Sequence, residues 1–255
     1  TTVNLGVGLA SEGYRVLLID ADPQGSLTVS LGVKNPDDLS VSLASVLQRV
    51  IDDRPINEHM GIIQHQEGVD LLPSNIELSG LEISLFNVMS REFILKGYID
   101  EIRKNYDYIL IDCMPSLGMM TVNSLVAADS VIIPSQPNFL STKGLNLLMH
   151  SISKVKRQIN PRLSIDGILL TMVDNRTNNA KDIISSLRSS MGSNIRVFNT
   201  EIPHSVRAAE CSLVGKSIFS HDKNGKVAAA YENLTKEVSD IGRETQNRSG
   251  PDWVR

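Results

Sequence analysis

Short apolar runs alternate with segments of helical periodicity along most of the chain. The apolar runs, rich in Val, Ile and Leu, predict strands at 16–19, 69–72, 108–111, 131–133, 165–173 and 195–202. The periodic segments predict helices at 42–51, 78–104, 119–128, 142–158 and 178–191. Runs with so few polar positions are typical of strands covered on both faces. The alternation therefore indicates an α/β fold with a doubly wound, mostly parallel sheet flanked by helices.

The two ends of the chain complete this pattern. Small residues predict an opening helix over 1–10, and three consecutive alanines favour a closing helix over 227–241. No internal repeat or low-complexity linker interrupts the sequence, so residues 1–241 are expected to form a single domain. Residues 242–255, which contain Gly, Pro and many polar residues, are expected to be a flexible tail.

Composition narrows the class of protein. Aromatic residues make up only 4% of the 255 residues, so the core must be aliphatic. Cys113 and Cys211 lie far apart, which argues against a disulfide framework or a thiolate metal site and favours a reducing compartment. No apolar stretch approaches the ~18 residues of a membrane span, and no charged and apolar leader opens the chain. We therefore expect a cytoplasmic protein with no membrane segment.

The charges are distributed unevenly along the chain. The net charge of −4 combines an acidic first part with a basic second part. Residues 1–150 carry 9 Lys and Arg against 18 Asp and Glu, whereas residues 151–236 carry 13 against 7. A basic region on an acidic protein favours a surface that binds a polyanion, although scattered solvated lysines would give the same count.

Two of the predicted strands end on carboxylates. The run Arg15-Val-Leu-Leu-Ile-Asp-Ala-Asp-Pro-Gln-Gly ends on Asp20 and Asp22, and Tyr108-Ile-Leu-Ile-Asp ends on Asp112. Ligands of parallel α/β sheets bind at the carboxyl ends of the strands. Three carboxylates at one edge repel one another unless a cation offsets their charge. The pattern therefore predicts a Mg²⁺ site at this edge of the sheet.

Four motifs occur in order along the chain. They are Thr1-Thr-Val-Asn-Leu-Gly-Val-Gly-Leu-Ala, Leu17-Leu-Ile-Asp-Ala-Asp-Pro-Gln-Gly, Tyr108-Ile-Leu-Ile-Asp-Cys-Met-Pro-Ser-Leu-Gly and Ile202-Pro-His-Ser-Val-Arg. Together they resemble the ParA family of partition ATPases, and the resemblance runs from Thr1 to about residue 240. It implies a P-loop NTPase-like fold that binds ATP with Mg²⁺ and hydrolyses ATP.

The resemblance also implies a segment that would precede Thr1. In the family, a first strand and a Lys-Gly-Gly-x-Gly-Lys-Thr loop come before the helix that begins here. The backbone N–H groups and lysines of that loop hold the phosphates. The 255 residues alone are therefore expected to show no ATPase activity, and a catalytically inactive interaction protein is an alternative reading.

The three carboxylates take different roles by resemblance. Asp22 matches the catalytic acid that positions the attacking water. Asp20 supports the metal end of the same site. Asp112 matches the Walker B acid, which holds Mg²⁺ through water.

The nucleotide itself would be bound by residues further along the chain. Pro115, Ser116 and Gly118 match the switch segment that senses the γ-phosphate. Asp174 and Pro203 match positions that bind adenine in the family, although Asp and Pro after a strand are also common turn residues.

Partners follow from the same resemblance. In the family, ATP binding closes a homodimer that binds DNA without sequence preference, and a ParB-like centromere-binding protein stimulates hydrolysis. The protein is then expected to be associated with the nucleoid. Phosphate contacts need lysine and arginine but no aromatic residues, which agrees with the low aromatic content. The candidate DNA-binding residues are Arg207, Lys216, Lys223 and Lys226, with Lys181 and Arg188 on a nearby helix.

Two other classes remain as alternatives. A MinD-like positioning ATPase docks on membranes through a C-terminal amphipathic helix, but residues 239–255 lack the apolar stripe that such a helix needs. A cluster carrier similar to the nitrogenase iron protein needs cysteine ligands, and Cys113 and Cys211 do not provide the spacing. Binding to liposomes or to duplex DNA would separate the first alternative from a partition ATPase.

Overall fold

The computed structural model describes residues 1–114, 116, 118–174, 178–191 and 195–248. The helices are α1 (Thr2–Ser11), α2 (Ser26–Ser30), α3 (Leu43–Ile51), α4 (Glu77–Ser84), α5 (Ile94–Ile102), α6 (Met119–Ala127), α7 (Phe139–Gln158), α8 (Asn178–Met191), α9 (Val206–Val214), α10 (Ile218–His221) and α11 (Lys226–Arg248). The strands are β1 (Val16–Ala21), β2 (Ile63–Gln64), β3 (Asp70–Leu72), β4 (Tyr108–Cys113), β5 (Ser130–Ser135), β6 (Ser164–Val173) and β7 (Val197–Pro203).

The described strands form two sheets, with the orders β2-β3-β1-β4 and β5-β6-β7. All neighbours are parallel except β2, which runs antiparallel to β3. The predicted α/β class with mostly parallel strands is therefore confirmed, but the hydrogen bonds divide the strands between two sheets instead of one. Strands β4 and β5 are sheet edges, and the apolar residues 108–111 of β4 are only half-buried.

Strand β1 is buried along its whole length because helices cover both of its faces. Val16 and Leu18 pack in a core cluster with residues of α1, α11 and β7. Leu17 and Ile19 point to the opposite face and pack with residues of α3, α4, α5 and α6. Successive side chains of a strand point to opposite faces of the sheet. Burial of both faces therefore requires apolar residues at consecutive positions, as in this run.

The second sheet shares one of these cores and has another of its own. Phe198 and Ile202 of β7 belong to the same cluster as Val16 and Leu18 of β1, so α1 and α11 connect the two sheets. On the other face, β5, β6 and β7 pack against α6, α7 and α8 in a third cluster. The described chain therefore has the layers of a doubly wound fold.

Helix α1 approaches its neighbours closely because two of its buried positions are glycine. A Cβ atom on Gly6 would lie 2.5 Å from a methyl carbon of Leu18 in β1. A Cβ atom on Gly8 would collide with the hydroxyl of Thr235 in α11. That hydroxyl donates a hydrogen bond to the backbone carbonyl of Tyr231 at 2.8 Å, so it cannot turn away freely. The small residues of the first motif therefore serve helix packing.

Two helix predictions need correction. The predicted helix over 78–104 is interrupted between α4 and α5, where short 3₁₀ turns and the left-handed Ser90 (φ 54°) break the hydrogen-bond pattern. Helix α11 extends to Arg248, beyond the predicted end at residue 241, so residues 242–248 are helical. Residues 249–255 lie outside the described part of the chain. No helix among the described residues is long and apolar enough to span a membrane.

We expect Gly8→Ala to destabilise the protein, because the added methyl group overpacks the contact between α1 and α11 at a cost of ~1–3 kcal/mol. The free energy of unfolding in urea measures the effect. Gly80→Ala is the control, since a Cβ atom there meets nothing within 4 Å and the change should stabilise α4 by ~0.5–1 kcal/mol. Equal or higher stability of Gly8→Ala would contradict the close packing of α1.

Candidate functional site

Asp20 lies at the end of β1 and is fully buried. One of its carboxylate oxygens accepts hydrogen bonds from the backbone N–H of Thr28 at 2.8 Å and from the Thr28 hydroxyl at 2.7 Å. The other oxygen accepts a bond from the backbone N–H of Asp22 at 3.2 Å. The Thr28 hydroxyl also accepts a bond from the backbone N–H of Ser74 at 3.0 Å. This network joins the end of β1 to helix α2 and to the loop after β3.

Burial raises the pKa of Asp20 to about 6, while the hydrogen bonds from Thr28 and from the Asp22 backbone oppose the increase. The nearby Asp112 carboxylate adds a smaller contribution in the same direction as burial. The predicted role of Asp20 at the metal end of the site is therefore not what its geometry favours. Its carboxylate faces the interior and fixes the turn that carries Asp22.

Asp22 lies in the turn between β1 and α2 and is half-buried. One of its carboxylate oxygens accepts a hydrogen bond from the backbone N–H of Gln24 at 2.9 Å, and its carbonyl accepts one from Gly25 at 2.9 Å. Gly25 takes the left-handed conformation (φ 63°) that closes the turn and starts α2. The turn therefore presents the Asp22 carboxylate at the carboxyl end of β1, where the sequence placed it.

Asp112 lies next to Asp20 across the parallel pair β1 and β4. It is half-buried, and one of its carboxylate oxygens accepts a hydrogen bond from the hydroxyl of Thr2 at 2.6 Å. Thr2 is the first residue of α1, so this bond fixes the start of that helix at the end of β4. The sequence gives no reason to single out Thr2 among helix-starting threonines, because the contact joins residues 110 positions apart.

The expected convergence of three carboxylates on a cation does not occur. No group of three or more His, Cys, Asp or Glu side chains suited to a metal ion exists among the described residues. The reason is that Asp20 turns inward to Thr28, and one Asp22 oxygen is engaged within its own turn. Mg²⁺ needs only one or two protein oxygens, since it keeps several waters. Asp112 supplies a carboxylate oxygen of this kind.

The predicted switch segment leads into α6. Pro115 lies outside the described residues. The exposed Ser116 accepts a weak hydrogen bond on its hydroxyl from the backbone N–H of Gly118 at 3.4 Å, and Gly118 is the N-cap of α6. At the second residue of the helix, the backbone N–H of Met120 donates to a carboxylate oxygen of Glu82 in α4 at 3.0 Å. Sequence reasoning missed Glu82.

The structure brings together the two residues that were predicted to bind adenine. Val173 and Pro203 are paired in the register of β6 and β7, and the backbone N–H of His204 donates to the Val173 carbonyl at 3.0 Å. Asp174, which is half-buried, therefore follows β6 beside Pro203 at the end of β7. Both lie at the carboxyl end of the second sheet.

The candidate DNA-binding residues separate into two groups. Those on or beside contacting helices α9, α10 and α11 are all exposed, namely Arg207, Lys216, Lys223 and Lys226. Lys181 is exposed on α8. Arg188, also on α8, donates to a carboxylate oxygen of Glu201 at 3.1 Å and to the carbonyl of Phe198 at 3.2 Å. Arg188 is half-buried and its guanidinium is already engaged with β7, unlike the exposed residues of the candidate surface.

Parallel strands that carry acids at their carboxyl ends, with helices starting beside those acids, place the chain in the class of α/β proteins that bind ligands such as nucleotides at this edge of the sheet. A family model described as an AAA domain matches residues 1–165. The sporulation initiation inhibitor protein Soj of Bacillus subtilis is 40% identical over 244 residues, which cover 95% of this chain and 93% of Soj. The chromosome partitioning protein ParA of Caulobacter vibrioides is 37% identical over 251 residues, which cover 98% and 91%. The chain belongs to the ParA family of P-loop ATPases.

A solved structure is also similar. The crystal structure of cobyrinic acid a,c-diamide synthase from Mycobacterium smegmatis with bound ADP and magnesium matches with a TM-score of 0.82 and 32% sequence identity. The match covers 96% of this chain and 89% of that chain. The fold described above is therefore found in a protein that holds an adenine nucleotide and Mg²⁺.

We expect the stability of the protein to depend on pH through Asp20. Its pKa of about 6 in the folded state exceeds the ordinary value of about 3.9, so the folded state binds more protons between these values. The free energy of unfolding should therefore fall as the pH rises from 4 to 7, by up to about 3 kcal/mol from this group.

The Asp20→Asn variant is the comparison for this prediction. Asparagine does not titrate, so the difference in unfolding free energy between wild type and variant should change in favour of the wild type as the pH falls from 7 to 4. Denaturant unfolding at several pH values measures both proteins. A constant difference over this range would show that the pKa of Asp20 is not raised in the folded state.

Proposed function

We propose that this protein is an ATP-dependent DNA partition ATPase that acts with Mg²⁺ in plasmid or chromosome segregation. The observation that carries the proposal is the arrangement at the ends of β1 and β4, where the Asp22 turn lies beside Asp112 and Asp112 holds Thr2 at the start of α1. The similarity to Soj and ParA over nearly the whole chain supports the same activity. The similarity to a structure with bound ADP and magnesium supports the cofactors.

The acidic residues at the ends of β1 and β4 have different roles in the proposed hydrolysis of ATP. Asp112 would hold Mg²⁺ through a water molecule, and the Thr2 hydroxyl orients the Asp112 carboxylate. The ion supplies positive charge that offsets the phosphates of ATP. Asp22 orients the water that attacks the γ-phosphate, and Asp20 keeps the Asp22 turn in place through Thr28.

Nucleotide recognition and sensing use the other predicted positions. Asp174 and Pro203, at the ends of β6 and β7, contact the adenine. Pro115, Ser116 and Gly118 sense the γ-phosphate and pass its presence to α6. Hydrolysis then acts as a timer for a conformational state, since loss of the γ-phosphate releases the switch segment.

The proposed cycle takes place in the cytoplasm, on the nucleoid. ATP closes a homodimer, the dimer binds DNA without sequence preference, and a ParB-like centromere-binding protein stimulates hydrolysis and release. The contacts to DNA phosphates come from exposed basic residues near the C-terminal helices. These are Arg207, Lys216, Lys223 and Lys226, with Lys181 on α8.

Substitution of the metal acid should abolish nucleotide binding. In the complete protein, we expect Asp112→Ala to reduce binding of Mg²⁺ and ATP below detection, because the ion loses its carboxylate and Thr2 loses its acceptor. Titration with a fluorescent ATP analogue, with and without Mg²⁺, measures the loss. Asp107→Ala is the control, since Asp107 bonds only Arg15 in the described chain and lies at the opposite end of β4. Unchanged binding by Asp112→Ala would remove the metal role.

Substitution of the water-positioning acid should separate binding from turnover. We expect Asp22→Ala to bind ATP with nearly wild-type affinity and to lose at least ~100-fold in kcat, the usual contribution of a positioned acid or base. Phosphate release under saturating ATP gives kcat, and the same fluorescence titration gives the affinity. If hydrolysis continues at the wild-type rate, Asp22 does not position the water.

Charge reversal at two lysines should weaken DNA binding. We expect Lys223→Glu combined with Lys226→Glu to reduce DNA retention at low salt and to lower the slope of log affinity against log salt by about 2. The control is Lys96→Glu with Lys104→Glu, which makes the same charge change on lysines that already pair with Asp100 and Glu58. Equal DNA retention by the two double variants would place the DNA-binding surface elsewhere. Retention of the wild-type protein on liposomes but not on DNA would favour a MinD-like positioning ATPase that docks on membranes.

A further inference from the structure

A carboxylate from α4 holds the first turn of α6. Glu82 is half-buried, and one of its carboxylate oxygens accepts a hydrogen bond from the backbone N–H of Met120 at 3.0 Å. The first N–H groups of a helix have no partner within the helix, and negative charge near them is favourable. Glu82 therefore satisfies one of these groups from a helix 38 positions away in the sequence.

Gly118 makes this contact possible. Its backbone is in an ordinary extended conformation (φ −70°, ψ 178°) that any residue adopts, so the backbone does not require glycine there. A Cβ atom at this position would instead collide with the Glu82 carboxylate oxygen. The Glu82 carboxylate therefore occupies the space that a side chain at position 118 would use.

A second contact joins α6 to the start of α5. The buried side chain of Asn123 donates to the carbonyl of Arg91 at 2.8 Å and accepts from the backbone N–H of Leu95 at 3.1 Å. Asn123 fixes the middle of α6 against the start of α5. Asn123 also donates to the carbonyl of Met119 at 3.1 Å, whereas the amide of Met120 in the first turn is held by Glu82.

We propose that Glu82 is a positioning residue for Ser116 and Gly118, the described residues of the switch segment at the entrance of α6. This inference rests on the proposed ATPase function. Glu82 does not touch the nucleotide; it fixes the start of α6, and so sets where Ser116 and Gly118 meet the γ-phosphate. It also couples α4 mechanically to the switch, because a shift of α4 changes the hydrogen bond to Met120.

Hydrogen exchange in the nucleotide-free protein tests the contact itself. Glu82→Ala should speed exchange in a peptide that covers residues 118–122 by about tenfold or more, because the Met120 amide loses its acceptor. Glu82→Gln keeps an acceptor oxygen and should stay close to wild type. Gly118→Ala should reproduce the faster exchange by forcing the carboxylate away. Glu77→Ala, on the exposed face of the same helix, is the control. Unchanged exchange in Glu82→Ala would overturn the inference.

Steady-state kinetics on the complete protein test the positioning role. Glu82→Ala should lower kcat for ATP hydrolysis about tenfold while the dissociation constant for ATP changes less than about twofold, and Glu82→Gln should recover most of the rate. If Glu82 only stabilised the fold, Glu82→Ala would lower the melting temperature without lowering kcat at a nearly constant dissociation constant for ATP. Faster exchange with an unchanged kcat would overturn the positioning role. Absence of hydrolysis and of ATP binding in the wild type would instead overturn the proposed function, and the exchange experiment would still decide the contact.

Discussion

Strand β1 has helices on both of its faces, and this double burial determines the arrangement around it. Asp20 is fully buried near the end of the strand, so its carboxylate must find hydrogen-bond donors inside the protein. Thr28 and the backbone of Asp22 provide them, and the Thr28 hydroxyl then accepts from Ser74. The turn after β1, helix α2 and the loop after β3 are held together by the need to satisfy one buried carboxylate. The position of Asp22 follows from that requirement.

The alternation of apolar runs and periodic segments predicts the main strands and most of the long helices because burial on both faces leaves a simple pattern. Strand β2 has two residues and pairs antiparallel with β3, so it is too short to show a period. Helix α9 is not among the predicted helices, although the sequence marks both of its ends. Ser205 is its N-cap, and the left-handed Gly215 follows its last residue. The interruption between α4 and α5 depends on Ser90, whose left-handed backbone is not visible in a helical pattern.

The candidate site is predictable to a similar extent. Strand direction places Asp22 and Asp112 at one edge, and the register of β6 and β7 places Asp174 beside Pro203, as the motifs indicated. The partners of these residues are not predictable, because contacts such as Thr2 with Asp112 or Glu82 with Met120 join distant positions. The contacts of Asp20 with Thr28 and of Arg188 with Glu201 could not be predicted from the sequence either. A motif identifies the residue type, whereas its role depends on whether the side chain faces the interior, a neighbouring carboxylate or solvent.

The contact between α1 and α11 has a consequence for how the protein folds. The core cluster that includes Leu5, Leu9, Leu234 and Val238 joins the two ends of the described chain. Contacts over such a separation close a very long loop, and the entropy of closure must be lost before the packing can compensate. During synthesis, this core cannot form until α11 has left the ribosome. The cluster around α3, α4 and α5 uses only the first half of the chain, so it is free to assemble earlier.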